Sequence, residues 1–166
     1  MGSSFNQASP VFFNLQHMNA KIPSNSNVKQ AVPFFMVVSM PDSLNFYIQG
    51  LGFELKNKWE PKGTIEWCWL ELGNASIMLQ EYRNNIPHDK RGEGISVCFM
   101  CEDALIIYKQ ILSNGLSTIS DPFVGNKLWV VGIKDPDGYN LYFESPTELP
   151  EETTYSEWIK ALGSNK

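Results

Sequence analysis

Between residues 32 and 144 the chain runs twice through one order of local patterns: strand, helix, strand, strand, strand. A unit of this size cannot bury its apolar face alone, so two copies must stack. The first copy opens on the apolar run Val32–Val38. Pro41, Asp42 and Ser43 then start a helix, with Pro41 suited to its first turn. Leu44, Tyr47 and Ile48 fall at helical spacing, and Gly50 ends the pattern. Strands are expected at about 52–58, 64–72 and 75–82, the last two joined by a tight turn at Gly73-Asn74. The second copy begins at Gly94 with a strand at 94–101. A helix from Asp103 to Asn114 follows, capped by Asp103 or Glu102. Its apolar stripe is Ala104, Ile107, Tyr108, Ile111 and Leu112, and Gly115 closes it. Further strands are expected near 116–119, 127–134 and 139–144.

The last two strands flank Asp135-Pro136-Asp137-Gly138. Pro136 presets φ for the first corner of a turn, and Gly138 can take the positive φ that closes it. Beyond the turn, Tyr139, Leu141 and Phe143 face one way, and Asn140, Tyr142 and Glu144 the other. One oily face and one mixed face suit a sheet with a core behind it and a pocket in front.

The remaining segments are polar. Residues 1–28 are rich in Asn and Ser and read as a flexible tail, onto which Phe12, Phe13 and Leu15 could dock. Residues 29–146 read as one domain, with module one at 29–83, module two at 93–146, and a looped link, RNNIPHDKRGE, at 83–93. The closing segment, 147–166, carries acidic residues before EWIKAL and reads as a short helix and tail.

At 166 residues, 43% hydrophobic and 13% aromatic, the chain can bury a real core. No apolar run approaches the roughly 20 residues needed to cross a bilayer, and Val11-Phe12-Phe13 is too short for a signal peptide. A cytoplasmic protein with no membrane partner is expected. A net charge of −5 without a basic run argues against nucleic acid. Cys68, Cys98 and Cys101 are too few and odd in number for a disulfide framework. Although Cys98 and Cys101 spell C-x-x-C, they sit inside a strand pattern, so buried structural cysteine is the expectation.

The doubled unit, with SLNFYIQGLGFEL at 43–55 and DPDGYNLYFES at 135–145, resembles the vicinal oxygen chelate superfamily of glyoxalases, extradiol dioxygenases, fosfomycin resistance enzymes and bleomycin resistance proteins. The matching residues are Ser43, Phe46, Tyr47, Leu51, Gly52 and Phe53, then the DPDG about 80 residues on. The resemblance implies an α+β fold: two βαβββ modules forming a curved mixed sheet with a concave cleft, in a homodimer. In metal-using members, four cleft positions carry His, Glu or Gln. Carried onto this chain one at a time, they fall at Val32, at Leu79 or Gln80, at Ser96 and at Tyr142. Val32 cannot bind a metal, and serine and tyrosine are poor ligands for zinc, nickel, iron or manganese. The two histidines, His17 and His88, lie in the tail and the link. No cofactor is therefore expected, and the metal-carried chemistry of the family is in doubt. An alternative metal enzyme, a glyoxalase-type lyase or a dioxygenase, would need shifted ligands such as Glu144, Glu81 and His88, with Gln80 in support.

Alternation along the strands names a cleft lining: Phe34 and Met36; Trp67 and Trp69; Ser96, Cys98 and Met100; Trp129; and Asn140, Tyr142 and Glu144. Such a groove suits an aromatic or cationic small molecule. Ala31-Val32-Pro33 in place of a ligand histidine, with FYIQGLGFEL, is similar to the bleomycin resistance branch, whose members sequester a drug between two subunits and confer antibiotic resistance without turnover. A metal-independent binding protein of that type is the expectation. A scaffold whose cleft is filled by its own side chains is the remaining class.

Overall fold

A computed structural model of the chain describes residues 28–82 and 91–164. The expected tail with Phe12, Phe13, Leu15 and His17, and most of the 83–93 link with His88, lie outside the described residues. The chain divides into two compact units, 1–31 and 32–166. Of the first, residues 28–31 are exposed and have no regular structure.

The second unit holds the repeat. Module one comprises β1 (Phe34–Val37), α1 (Met40–Leu44), β2 (Glu54–Trp59), β3 (Trp67–Leu72) and β4 (Ala75–Glu81). Module two comprises β5 (Ser96–Met100), α2 (Ala104–Ser113), β6 (Phe123–Gly125), β7 (Leu128–Lys134) and β8 (Asn140–Pro146), with α3 (Tyr155–Ser164) after it. Each module makes a four-stranded mixed sheet, ordered β1-β4-β3-β2 and β5-β8-β7-β6. In each, the first strand runs parallel to the fourth and the other pairs are antiparallel. This is the expected α+β arrangement of two βαβββ modules.

Local chemistry explains the helices. Ser39 caps α1 by accepting the Asp42 N–H, and Pro41 occupies the first turn. Past Leu44 the coil widens into a π-helix over Asn45–Gly50, which the helical spacing of Tyr47 and Ile48 did not reveal. Asp103 caps α2, accepting the Leu105 N–H at 2.8 Å, and the buried Ser145 hydroxyl accepts the Ala104 N–H at 2.9 Å. Thr154 and Glu157 form a reciprocal capping box on α3.

One strand lies elsewhere than expected. The second strand of module two is β6 at Phe123–Gly125, not 116–119. Ile119 gives β7 a single backbone bond, to Gly132, and Pro122 has no N–H with which to extend a ladder. Instead Asn126 and Lys127 take positive φ angles of 53° and 60°, turning β6 tightly into β7. Glu151 holds that turn by accepting both of their N–H groups.

The helix-facing side of both sheets is core. Phe35, Val37, Cys68, Leu70, Ile77 and Leu79 are buried in module one, and Phe99, Val131, Ile133, Leu141 and Phe143 in module two. Each large side chain contributes about 1.5–3 kcal/mol by leaving water. Rings cross the module boundary: Tyr47 meets Phe53 edge-on, Phe53 meets Phe99, and Phe99 stacks on Phe143.

The DPDG hairpin adds polar stitches. Gly138, at φ 92°, closes the turn with an N–H bond to Asp135 O. Asp135 Oδ1 accepts the Asp137 and Tyr139 N–H groups, and Oδ2 accepts the Tyr47 hydroxyl. Asp137 Oδ1 accepts the Val38 N–H at 3.0 Å, and the Tyr139 hydroxyl accepts the Met36 N–H. The turn of module two is thereby bonded to the first strand and helix of module one.

Candidate ligand-binding face

With the helices packed on one side, alternation sends every second residue of each strand to the other. Cross-strand register then sets the order of side chains on that open face. In module one, one row reads Trp59, Trp67, Gln80, Met36, and the next reads Asn57, Trp69, Met78, Phe34. In module two the rows read Ser96, Asn140, Lys134; then Cys98, Tyr142, Gly132; then Met100, Glu144, Val130, Phe123.

Ten of the eleven residues expected to line a cleft thus share the open faces. Trp129 is the exception and a correction. It is 5% exposed and lies in the core, against Tyr155 and Trp158. The register of β7 sends Leu128 and Val130 to the open face and Trp129 and Val131 behind it. A second correction concerns Cys98, which is exposed on the open face, while Cys68 is buried and Cys101 half-buried.

A cavity of about 360 Å³ opens on the second sheet. Ser96, Cys98, Tyr142 and Glu144 line it, as alternation anticipates. Phe123, Gly125 and Asn126 complete it and were missed because the second strand was expected at 116–119, and Leu128 and Val130 because Trp129 was assigned to their face. Gly125-Asn126 is a hairpin-turn signal that pointed to the true position. A Cβ at Gly132 would stand 2.9 Å from the Tyr142 ring, so glycine is what lets that ring lie across β7. Partial burial raises the Cys98 thiol pKa, and the neighbouring Glu144 carboxylate raises it further. Cys98 is therefore held as a thiol, not as a nucleophilic thiolate.

A larger hollow, about 540 Å³, lies beside Asp135–Gly138. Its two aspartates are 4% exposed and turned inward onto the backbone and Tyr47, so their oxygens are already engaged.

In module one the Trp69 indole N–H donates to Glu71 at 2.9 Å, which fixes that ring on the face. Glu81, by contrast, has the core-side parity of Leu79, and its Oε2 accepts the Met40 N–H at the start of α1.

The profile of the Glyoxalase/Bleomycin resistance protein/Dioxygenase superfamily matches residues 29–143. The chain belongs to this superfamily. Solved structures agree in fold. TnmS3, an antibiotic binding protein from Streptomyces sp. CB03234, is 18% identical with a TM-score of 0.56, covering 74% of this chain and 100% of its own. TioX from Micromonospora sp. ML1 is 15% identical with a TM-score of 0.57, covering 74% and 99%. A glyoxalase family protein from Bacillus anthracis is 19% identical with a TM-score of 0.56, covering 74% and 100%. No curated protein matches the chain.

Within the superfamily's frame, the residues at the four ligand positions do not fit a transition metal. Val32 has no donor atom. Register resolves the second position in favour of Gln80, since Leu79 is fully buried in the core. The remaining donors, a Ser96 hydroxyl and a Tyr142 phenol, are weak ligands beside imidazole or thiolate. Of the alternative set, Glu144 faces the cavity and Glu81 faces the start of α1, so these two do not converge; His88 lies outside the described residues.

Proposed function

We propose that this superfamily member binds an aromatic or cationic small molecule on the open faces of its sheets, and sequesters it without turnover and without a metal. The observation that carries this reading is the chemistry of those faces. Three indoles, two methionines and a phenylalanine stand on one sheet, and the other carries a cavity with a tyrosine and a carboxylate. Flat apolar surface with a few polar groups is what small-molecule sites use. The antibiotic-binding title of the similarly folded TnmS3 supports the same reading. A homodimer completes the site, the open face of one subunit's module closing over that of its partner. With Val32, Gln80, Ser96 and Tyr142 at the family positions, the cleft contributes no metal-activated water or Lewis acid.

The test is a calorimetric titration of the purified protein with copper-loaded bleomycin and a panel of small aromatic cations, with and without a chelator. Sedimentation gives the oligomeric state. Expected are micromolar binding that the chelator leaves unchanged, quenched tryptophan fluorescence, a dimer, and ligand recovered intact. Absence of binding across the panel, or a stoichiometric metal lost on Glu144→Ala, would overturn the proposal.

A further inference from the structure

The cavity on the second sheet differs in character from the face of the first. Among the described residues that line it, Glu144 is the only carboxylate, and no lysine, arginine or histidine is present. Its cross-strand neighbours on either side are Met100 and Val130, with Phe123 one strand further. Glu144 is half-buried on this row, and among the described residues the lining supplies no positive charge to pair with it. The Cys98 thiol neighbours the carboxylate and brings no charge. Two glycines keep the floor beside Glu144 flat: a Cβ at Gly132 would stand 2.9 Å from the Tyr142 ring, and one at Gly125 would make a tight 3.2 Å contact with the Phe123 ring.

We infer that this cavity is a subsite for a flat organic monocation, its protonated nitrogen paired with Glu144 and its ring system laid on Tyr142 and Phe123. The assignment rests on the small-molecule reading above and narrows it: the charge is read by module two, at one residue. A single carboxylate balances one positive charge. The aromatic faces add cation–π attraction to a ring that carries the charge by resonance, and the apolar surround strengthens the ion pair relative to one in open water. A neutral ring of the same outline gains the stacking and loses the pair.

Two probes of similar outline separate these terms: proflavine, a planar cation at neutral pH, and acridone, which is uncharged. The full-length protein is titrated with each, for the wild type, Glu144→Gln and Glu144→Asp. Expected is wild-type preference for proflavine, cut about tenfold in Glu144→Gln, the scale of one charge-assisted bond. Acridone affinity stays unchanged, and Glu144→Asp keeps part of the preference. On the wild type alone, raising the salt concentration weakens proflavine and leaves acridone alone. Equal binding of both probes, insensitive to salt and to Glu144→Gln, overturns the cation subsite and leaves the small-molecule reading standing. Failure of both probes to bind at millimolar concentration overturns the two together.

Discussion

The Tyr47 hydroxyl donates to Asp135 Oδ2 at 3.0 Å, joining the helical segment of module one to the turn of module two across 88 residues of sequence. Both side chains are buried, so the bond is made away from competing water. Tyr47→Phe removes the donor and leaves the carboxylate with its two backbone partners. A hydrogen bond to a charged group is worth about 1.5–3 kcal/mol. Urea denaturation of Tyr47→Phe is expected to show a loss in that range, with the slope of the transition unchanged. A loss below about 0.5 kcal/mol would mean the stitch does not hold the modules together.

Asp135 also sets a pH dependence. Burial raises its pKa to about 6 from 3.8, and the charge on Asp137 adds to this, against the lowering effect of its N–H and hydroxyl donors. The folded protein therefore holds a proton on Asp135 between about pH 4 and 6 that the unfolded chain has already released. Stability from this group is fully present below the unfolded pKa and is lost as pH rises through the folded one. Relative to Asp135→Asn, the wild type should gain about 2–3 kcal/mol between pH 7 and pH 4. Urea midpoints of the pair at four pH values check this. A constant difference would show that Asp135 does not titrate in that window.

Gly92 packs against the same turn. A Cβ there would stand 2.1 Å from the Gly138 carbonyl and 2.2 Å from the Tyr139 nitrogen, all backbone atoms with no rotamer to yield. Gly92→Ala is expected to cost about 3 kcal/mol or more, at the severe end of overpacking. A thermal melt within two degrees of wild type would sink the expectation.

The tryptophans divide into two groups by face. Trp129→Ala empties a core position against Tyr155 and Trp158 and should cost about 3–5 kcal/mol. Trp67→Ala removes a half-buried ring from the open face and should cost about 1 kcal/mol or less, while weakening the binding of an aromatic probe. Melts and titrations of the two variants together make the comparison. Equal destabilisation would contradict the assignment of faces.

The Ser145 hydroxyl is 2% exposed and accepts the Ala104 N–H at the start of α2. Ser145→Ala leaves that buried N–H without its acceptor, an expected loss of about 1–3 kcal/mol, read by urea denaturation. Hydrogen exchange should quicken first in α2, and protection unchanged there would place the cap elsewhere.

Local chemistry made much of this protein legible in its sequence. Period-two alternation in Phe34–Val37 and Asn140–Glu144, helical spacing in Ala104–Leu112, the cap at Asp103 and the DPDG turn each report on bonds made within a few residues. They were enough to give the order strand, helix, strand, strand, strand twice and to sort each strand's residues by face; the family resemblance then put Phe34, Trp67, Tyr142 and Glu144 on the pocket side. Where the pattern was ambiguous it misled. LSTI at 116–119 has strand propensity, yet Phe123–Gly125 pairs with β7, because the Asn126-Lys127 turn and the Glu151 carboxylate from 24 residues away set that register. Half the wall of the cavity follows from that one pairing.

Alternation along a strand says which residues share a face, so the sequence by itself determined the two faces of each strand in each module. Which face meets the helices, and what stands across from each side chain, depends on partners distant in sequence. Only the tertiary structure put Trp129 behind the sheet, turned Glu81 to the start of α1, and buried Asp135 and Asp137 as stitches between modules. It also set Glu144 as a single carboxylate in an apolar row. Pairing register and desolvation are properties of the packed chain, and no local pattern of residues encodes them.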